Sequence, residues 1–423
     1  MPPRPSPAPR PAAAPPPASP APIRILALLE HYLPAYKAGG PLRTVGHMVE
    51  QLGDPFVFRI VTCDRDWGDP TRLEVVPGRW SPVGSGEAIY LAPSQLGVAG
   101  LRAVIAGTEH DVLYLNSLFS PRLSILPLLL RRAGAIPRRP VVLAPRGELH
   151  PGALEGGGWG IPLPAAVARL LGSPRHLKKR AYLVLARALG LLRGITWQAS
   201  TEVEAEEIRR HAGRRARVVV APDLAARPPA SLPPPPAPKR AGALRALFLS
   251  RIDDKKNLEG AIALLEGVRG EVRFDVYGPV ADERYWARCR AELERLPPNV
   301  EARYHGALPH ERVAEVFRAH ELFVFPTRGE NFGHVVLESL VAGCPVLVSD
   351  RTPWRGLARY GAGWDLPLDD VEGMRAVVQR CVDMDEEEFR AWSVRAAHFG
   401  RDASSDERPL RWNRELFEQV ARA

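Results

Sequence analysis

Cysteine is scarce in this chain: four in 423 residues, at Cys63, Cys289, Cys344 and Cys381, far apart from one another. No CxxC pair or Cys/His cluster occurs, which argues against a zinc module, and no spacing suggests a disulfide framework. A reducing interior fits best. No apolar run of about 18 residues exists, so hydropathy excludes a transmembrane helix. The first 22 residues hold 11 prolines and almost no large apolar side chains. They lack the apolar core of a secretory signal and read as a disordered tail leaning to polyproline II. No G-x-G-x-x-G follows a strand pattern and no G-x-x-x-x-G-K-[ST] is present, which counts against a dinucleotide dehydrogenase and a P-loop NTPase. Aromatic residues make up only 7%. With no recognition helix and no RNP-like run, nucleic acid is not the expected partner.

What is present is positive charge. The formal net charge is +9 and the sequence pI about 9.6. Both favour acidic partners such as nucleotide phosphates or an anionic membrane surface. Abundant Arg, Ala, Pro and Gly also suit a GC-rich genome, which is the bland source of the same charge. Apolar residues reach 45%, and the length suits two domains of about 150–200 residues each.

Short apolar runs alternate with amphipathic segments. They begin at "IRILALL" (23–29) and continue through "FVFRIVT", "AIYLAP", "DVLYLNS", "PVVLAP", "ITWQAS" and "RVVVAP". After the Pro-rich stretch 227–242 a second series follows: "LRALFLS", "VRFDVYG", "VEARYHG", "LFVFPT" and "PVLVSD". Buried strands interleaved with helices imply parallel α/β sheets. The fold class is therefore α/β, with two Rossmann-like halves facing across a cleft. The expected boundaries are a tail over 1–22, a first domain over 23–226, a stiff linker over 227–242, a second domain over 243–400 and a closing helix over 401–423. Ligands of such sheets sit at the carboxyl ends of the strands.

Three stretches carry chemistry. In "RGENFGHVVLESL" (328–340), Glu330 lies in the loop after a strand. Asn331, Phe332 and Gly333 lead into a helix, and Glu338 is on its second turn. Unpaired amides at a helix start, with roughly half a unit of positive charge, suit an anion. Carboxylates on either side suit sugar hydroxyls. The same spacing also fits a helix-start acid and a His334–Glu338 i,i+4 pair on a wet face. In "SRIDDKKN" (250–257), Arg251, Lys255 and Lys256 follow a strand of the second half and could clamp a diphosphate. Alternatively, Asp253 and Asp254 neutralise them in a solvated loop. In "YKAGGPLRT" (36–44), Gly39 and Gly40 permit close backbone approach to a ligand, or simply form a tight turn.

Together these stretches resemble glycosyltransferase family 4, retaining nucleotide-sugar transferases of GT-B fold. "GENFGHVVLES" resembles its E-x7-E motif, "SRIDDKKN" its diphosphate clamp and "AGGPLRT" its N-terminal glycine loop. "HGALPHERVAEVFRAHELFVFPT" resembles the stretch leading into E-x7-E. The resemblance spans about 23–400. "DRDWGD", "LNSLFSPR", "PRGELHPGAL", "ITWQAS" and "SDRTPWRGLARYGAGW" are similar to a subgroup associated with surface polysaccharide synthesis. By position the resemblance implies that Glu330 meets the donor sugar and Glu338 the ribose. Asn331, Phe332 and Gly333 would offer main-chain amides, Arg251 and Lys256 would stabilise the departing diphosphate, and Gly39 and Gly40 would lie near the phosphates. Asn116, Arg146 and Glu148 are assigned to the acceptor side, where relatives carry a histidine and this chain reads "LAPRGELHPG". No metal or other cofactor is expected, only a nucleoside-diphosphate sugar as donor. The implied acceptor is a glycan or a lipid-linked sugar.

Three further features belong to this reading. Asp64-x-Asp66 matches a metal-binding pattern of GT-A transferases, but the two-half layout favours turn-capping aspartates. "HLKKRAYLVLARALGLLRG" (176–194) reads either as a basic amphipathic helix on anionic lipid or as a buried helix with a charged outer stripe. Residues 155–175 look like an insertion without an assigned role. The expected location is the cytoplasm, or peripherally the inner face of its membrane. The alternative function is a non-catalytic nucleotide-sugar binder of the same fold.

Overall fold

The computed structural model describes residues 21–150 and 175–423. The tail, apart from its last two residues, and the insertion, apart from Arg175, lie outside the described residues. Among the described residues the strands form two sheets. The first contains β1 (Ile23–Leu28), β2 (Phe56–Cys63), β3 (Trp80–Val83), β4 (Gly86–Leu91), β5 (Val112–Asn116), β6 (Val141–Ala144), β7 (Ile195–Ala199) and β8 (Arg217–Val220). Its order is β3-β4-β2-β1-β5-β6-β7-β8, parallel except for β3. The second contains β9 (Ala243–Leu249), β10 (Glu271–Tyr277), β11 (Val300–Tyr304), β12 (Leu322–Phe325), β13 (Val346–Ser349) and β14 (Gly363–Leu366). Its order is β11-β10-β9-β12-β13-β14, parallel throughout, as in a dinucleotide-binding sheet.

The central strands, such as β5, β6, β12 and β13, are buried throughout and nearly all apolar because both faces are covered. In β1, Ile25 and Ala27 point into one core and Leu26 and Leu28 into the other. Two strands escape the sequence reading. β3 is a four-residue edge strand with Pro82 in its middle, and proline in a strand is tolerated only at an edge. β14 is short and half exposed at its far end, so its apolar run is weak.

The chain ends with two helices. Helix Glu386–Ser404 packs against helix His334–Val341 and runs through the boundary expected at 400. Its break comes at Ser405–Glu407, just before Pro409 in the first turn of the next helix. That last helix, Arg408–Ala421, lies on the first sheet: Phe417 meets Phe56, Phe58 and Tyr114 edge-on, with ring centroids 5.2–6.3 Å apart. Phe417 is fully buried, a contribution of about 1.5–3 kcal/mol. Asn413 accepts a hydrogen bond from the Gln198 amide (2.9 Å) and donates to the Pro222 carbonyl (2.8 Å).

Candidate active site

In the second sheet the strand order reverses direction at β9 and β12, and the loops leaving these two strands are tied together. The Arg328 amide donates to the Lys255 carbonyl (2.8 Å), as does the Thr327 hydroxyl (3.1 Å). Asn257, left-handed at φ 60°, donates to the Pro326 carbonyl (2.7 Å). Asp253 accepts the Lys256 amide (3.0 Å), which fixes the turn carrying the lysines. The outcome is an ion pair between the Lys256 ammonium and the Glu330 carboxylate. The lysines are thus not neutralised by Asp253 and Asp254 in a solvated loop. Arg251 stands beside this pair, 3.6 Å from Asp253.

Burial alone would raise the Glu330 carboxyl, but the Lys256 and Lys255 ammonium groups outweigh it and hold the carboxyl below its usual range. Burial, then repulsion from Lys256, pushes Lys255 down. The site therefore contains an ionised carboxylate within a field of three cations, in a setting where charges act strongly.

Gly333 begins helix His334–Val341 at φ 79°, a conformation that favours glycine. The Phe332 carbonyl accepts from the Trp354 indole (2.6 Å), which pins the residue before it. This helix start faces the first domain. The Gly39–Gly40 turn comes so close that a side chain on Gly40 would begin 4.0 Å from the His334 ring. Thr44 and His334 share a hydrogen bond of 2.9 Å (Oγ1 to Nε2), and Arg43 forms an ion pair with Glu338. His334 and Glu338 are therefore not partners on a wet face, since each pairs across the cleft. Burial, then the neighbouring His47 and Arg43, keeps His334 neutral, well below its usual value. One Glu338 oxygen takes Arg43; the other is buried without a partner.

Asn331 also spans the cleft, through its side chain: it donates to Glu204 (3.0 Å) and Ser200 (3.3 Å). Glu204 is fully buried and accepts the amides of Gly147 (2.6 Å) and Ser200 (2.7 Å). Arg146, left-handed at φ 55°, forms an ion pair with Asp223 and donates to Tyr114 and Asn116 (3.0 Å to Asn116). Its charge is among those keeping His334 neutral. Glu148 points instead toward the loop after β5, where it accepts from Ser117 (2.8 Å) and from the amides of Leu118 (2.6 Å) and Phe119 (3.3 Å). Burial raises its carboxyl despite those donors. His150 lies against the second domain, where a side chain on Gly329 would start 3.5 Å from its ring.

Several of these residues were not singled out in the sequence. Arg43, Thr44 and His47 carried a signal: polar side chains on the first turns of a helix that follows a glycine loop. Glu204 was hidden because "STEVE" looks like ordinary helix capping, and Thr201 does cap that helix. The Asp64-x-Asp66 pair is occupied by protein. Asp64 pairs with Arg72 (2.8 Å) and Arg65 (3.4 Å), and Asp66 accepts the amides of Tyr36 (2.9 Å), Lys37 (3.1 Å) and Trp67 (2.7 Å). Among the described residues, no group of three or more His, Cys, Asp or Glu side chains stands where it could hold a metal ion.

Residues 235–388, which hold both tied loops and the helix between Glu330 and Glu338, match the sequence profile of the family described as Glycosyl transferases group 1. The match covers a little over a third of the chain, and that stretch is similar to group 1 glycosyl transferases. The sulfoquinovosyl transferase SQD2 of Arabidopsis thaliana is 28% identical over 127 residues, 30% of this chain and 22% of that protein, so the match spans under a quarter of the relative. The fold of the whole described chain is GT-B. Sucrose-phosphate synthase from Thermosynechococcus elongatus superimposes with a TM-score of 0.64 at 18% identity, covering 94% of this chain and 99% of that one. HepE of Anabaena, in complex with UDP-glucose, gives 0.62 at 14% identity, covering 95% and 100%. The matched stretch thus sits in a two-domain frame whose cleft carries the Lys256–Glu330 and Arg43–Glu338 pairs.

Proposed function

We propose that the protein is a retaining glycosyltransferase that moves a sugar from a nucleoside-diphosphate sugar to a glycan or lipid-linked acceptor. The observation that carries this reading is the Lys256–Glu330 pair beside Arg251, at the point where the second sheet's strand order reverses. There Arg251 and Lys256 meet the diphosphate and stabilise the charge that develops as it leaves. An ammonium has three donors, so Lys256 can keep Glu330 and still reach a phosphate oxygen. Glu330 accepts from donor-sugar hydroxyls, and the amides of Asn331, Phe332 and Gly333 face sugar and phosphate. The unpartnered oxygen of Glu338 is an acceptor for a ribose hydroxyl. Residues 23–226 serve the acceptor and 243–400 the donor, with 227–242 joining them. Asn116 and Arg146 lie on the acceptor side; Glu148 supports the loop there. Departure of the diphosphate on the face where the acceptor enters gives retention, with the leaving phosphate taking the acceptor proton.

A membrane-borne acceptor fits the surface of the first domain. Helix Arg175–Ala188 exposes Val184 and Leu185, the following turn exposes Leu189, and Leu129 is exposed on a neighbouring helix that the Arg132–Leu189 carbonyl contact (3.3 Å) ties to it. Arg180 and Arg187 of the same helix are exposed as well. The outer stripe therefore carries apolar side chains together with arginines, unlike a plain charged stripe. Residues 112–147 and 156–201 contain no Asp or Glu. Such a face suits the anionic inner leaflet, and with it a lipid-linked acceptor of surface polysaccharide assembly. Among the described residues no helix is long and apolar enough to cross a membrane.

The deciding experiment is donor turnover by purified protein across UDP-, GDP- and ADP-sugars, beginning with UDP-glucose, the ligand held by HepE. Hydrolysis or transfer that Glu330→Ala abolishes, with the product anomer unchanged from the donor, supports the reading. Nucleotide binding without turnover of any donor would instead support a nucleotide-sugar sensor, the second reading. That reading draws on Glu338 and Lys256 both being ion-paired within the protein.

A further inference from the structure

Trp67 belongs to the first domain, yet its ring centroid lies 5.8 Å from the guanidinium carbon of Arg251 in the second. The loop carrying it is braced at three points. Asp66, 5% exposed, accepts the three amides already described, Asp64 is fully buried between two arginines, and Lys37 pairs with Asp69 at 2.7 Å. The indole is therefore presented across the cleft from a loop with little freedom. On its own side Arg251 has Asp253 at 3.6 Å, beyond hydrogen-bond reach. Lys255 lies close enough for the two charges to repel each other. A ring face attracts a guanidinium through its quadrupole without adding a formal negative charge. Arg251 is thus oriented, and with Asp253 only at ion-pair distance its guanidinium hydrogen-bond donors remain able to meet an anion.

We propose that Trp67 is a positioning residue that holds Arg251, from across the cleft, in the orientation that meets the terminal phosphate of a bound nucleoside diphosphate. This rests on the reading of Arg251 as a diphosphate clamp. It gives the "DRDWGD" loop a role that turn capping by its aspartates does not explain. It also makes the clamp complete only when the two domains are together.

The test is calorimetric binding of UDP, GDP and ADP, each against its monophosphate, to the full chain. The base with the tightest diphosphate is carried forward. Removing the ring face in Trp67→Ala should cut the preference for diphosphate over monophosphate by roughly three- to tenfold. Trp67→Phe should restore most of it. Trp67→Leu, which keeps bulk but lacks a π face, should not, and it serves if the alanine variant fails to fold. In an Arg251→Ala background the Trp67 change should have no further effect on that preference, a non-additivity that a merely structural role would not produce. Equal loss of diphosphate and monophosphate binding, an unchanged preference, or additive effects would overturn the proposal. If Arg251→Ala itself leaves the preference intact, the clamp reading fails. If Arg251→Ala abolishes the preference and Trp67→Ala leaves it intact, only the Trp67 assignment fails.

Discussion

Arg43 and Glu338, 295 positions apart in the chain, form an ion pair across the cleft, each side chain only 19% exposed. The second glutamate of the E-x7-E pattern is thereby held by the first helix of the opposite domain. Glu338→Ala leaves Arg43 facing a half-buried void without its anion, and Arg43→Ala leaves both Glu338 oxygens without a partner. A double-mutant cycle on thermal unfolding should give a coupling of roughly 0.5–3 kcal/mol. Only the Glu338 change should also weaken nucleoside binding, through loss of the ribose contact proposed for it. Additive unfolding effects would show that the pair is not coupled in solution.

Lys256 and Glu330 should separate by the kinetic parameter they move. If Lys256 stabilises the departing diphosphate as proposed, Lys256→Ala should lower kcat by about 10²–10³-fold with a smaller change in KM. Glu330→Gln keeps the shape and a partial hydrogen-bonding capacity but leaves three cations without their carboxylate. It should lose turnover while binding free nucleoside diphosphate at least as well. Weaker diphosphate binding by Glu330→Gln would contradict the charge balance argued for this site.

His334 makes a pH prediction. Its folded value is well below its ordinary 6.5, so the folded protein refuses a proton that the unfolded chain accepts. Stability should therefore be fully present above about pH 6.5 and decline as pH falls below it. His47 and His150, also held low, chiefly by burial, add to the same slope. Thermal midpoints between pH 8 and 5.5 should show the decline, and His334→Asn, which cannot titrate, should make it shallower. An unchanged slope in that variant would mean His334 is protonated in the fold.

The apolar face of the first domain around Val184, Leu185 and Leu189 should bind vesicles containing anionic phospholipid at low salt and release them as salt rises, since the attraction is screened within about 10 Å at 0.1 M. Leu185→Asp with Leu189→Asp should abolish co-sedimentation and leave turnover of a water-soluble acceptor intact. Equal binding to neutral vesicles, or none to either, would remove the membrane from the picture.

Much of the architecture is legible in the amino-acid sequence. Strands such as "VVLA" and "LFVF" are apolar on both faces, which only covered parallel sheets produce, and the Pro-rich stretch 227–242 separates the two series. The strand ends near Ser250 and Pro326 placed Arg251, Lys256 and Glu330 on one side of one sheet, because loops at the carboxyl ends of parallel strands must share an edge. β3 and β14 were missed because a four-residue strand with a proline or a weak apolar run carries too little periodic signal.

The amino acid order alone determined the local chemistry: which loops are glycine-rich, which helix begins beside Glu330, which cations follow β9. Those depend on neighbours within one or two turns of chain. It could not decide who pairs with whom. His334 at four positions from Glu338 is the natural helical partner, yet His334 bonds Thr44 and Glu338 pairs with Arg43. Asn331 reaches Glu204, and Trp67 reaches Arg251. Each choice was made by the approach of the second domain. It buries these groups beside partners that a solvated helix never meets, and a buried polar group takes whichever partner is there.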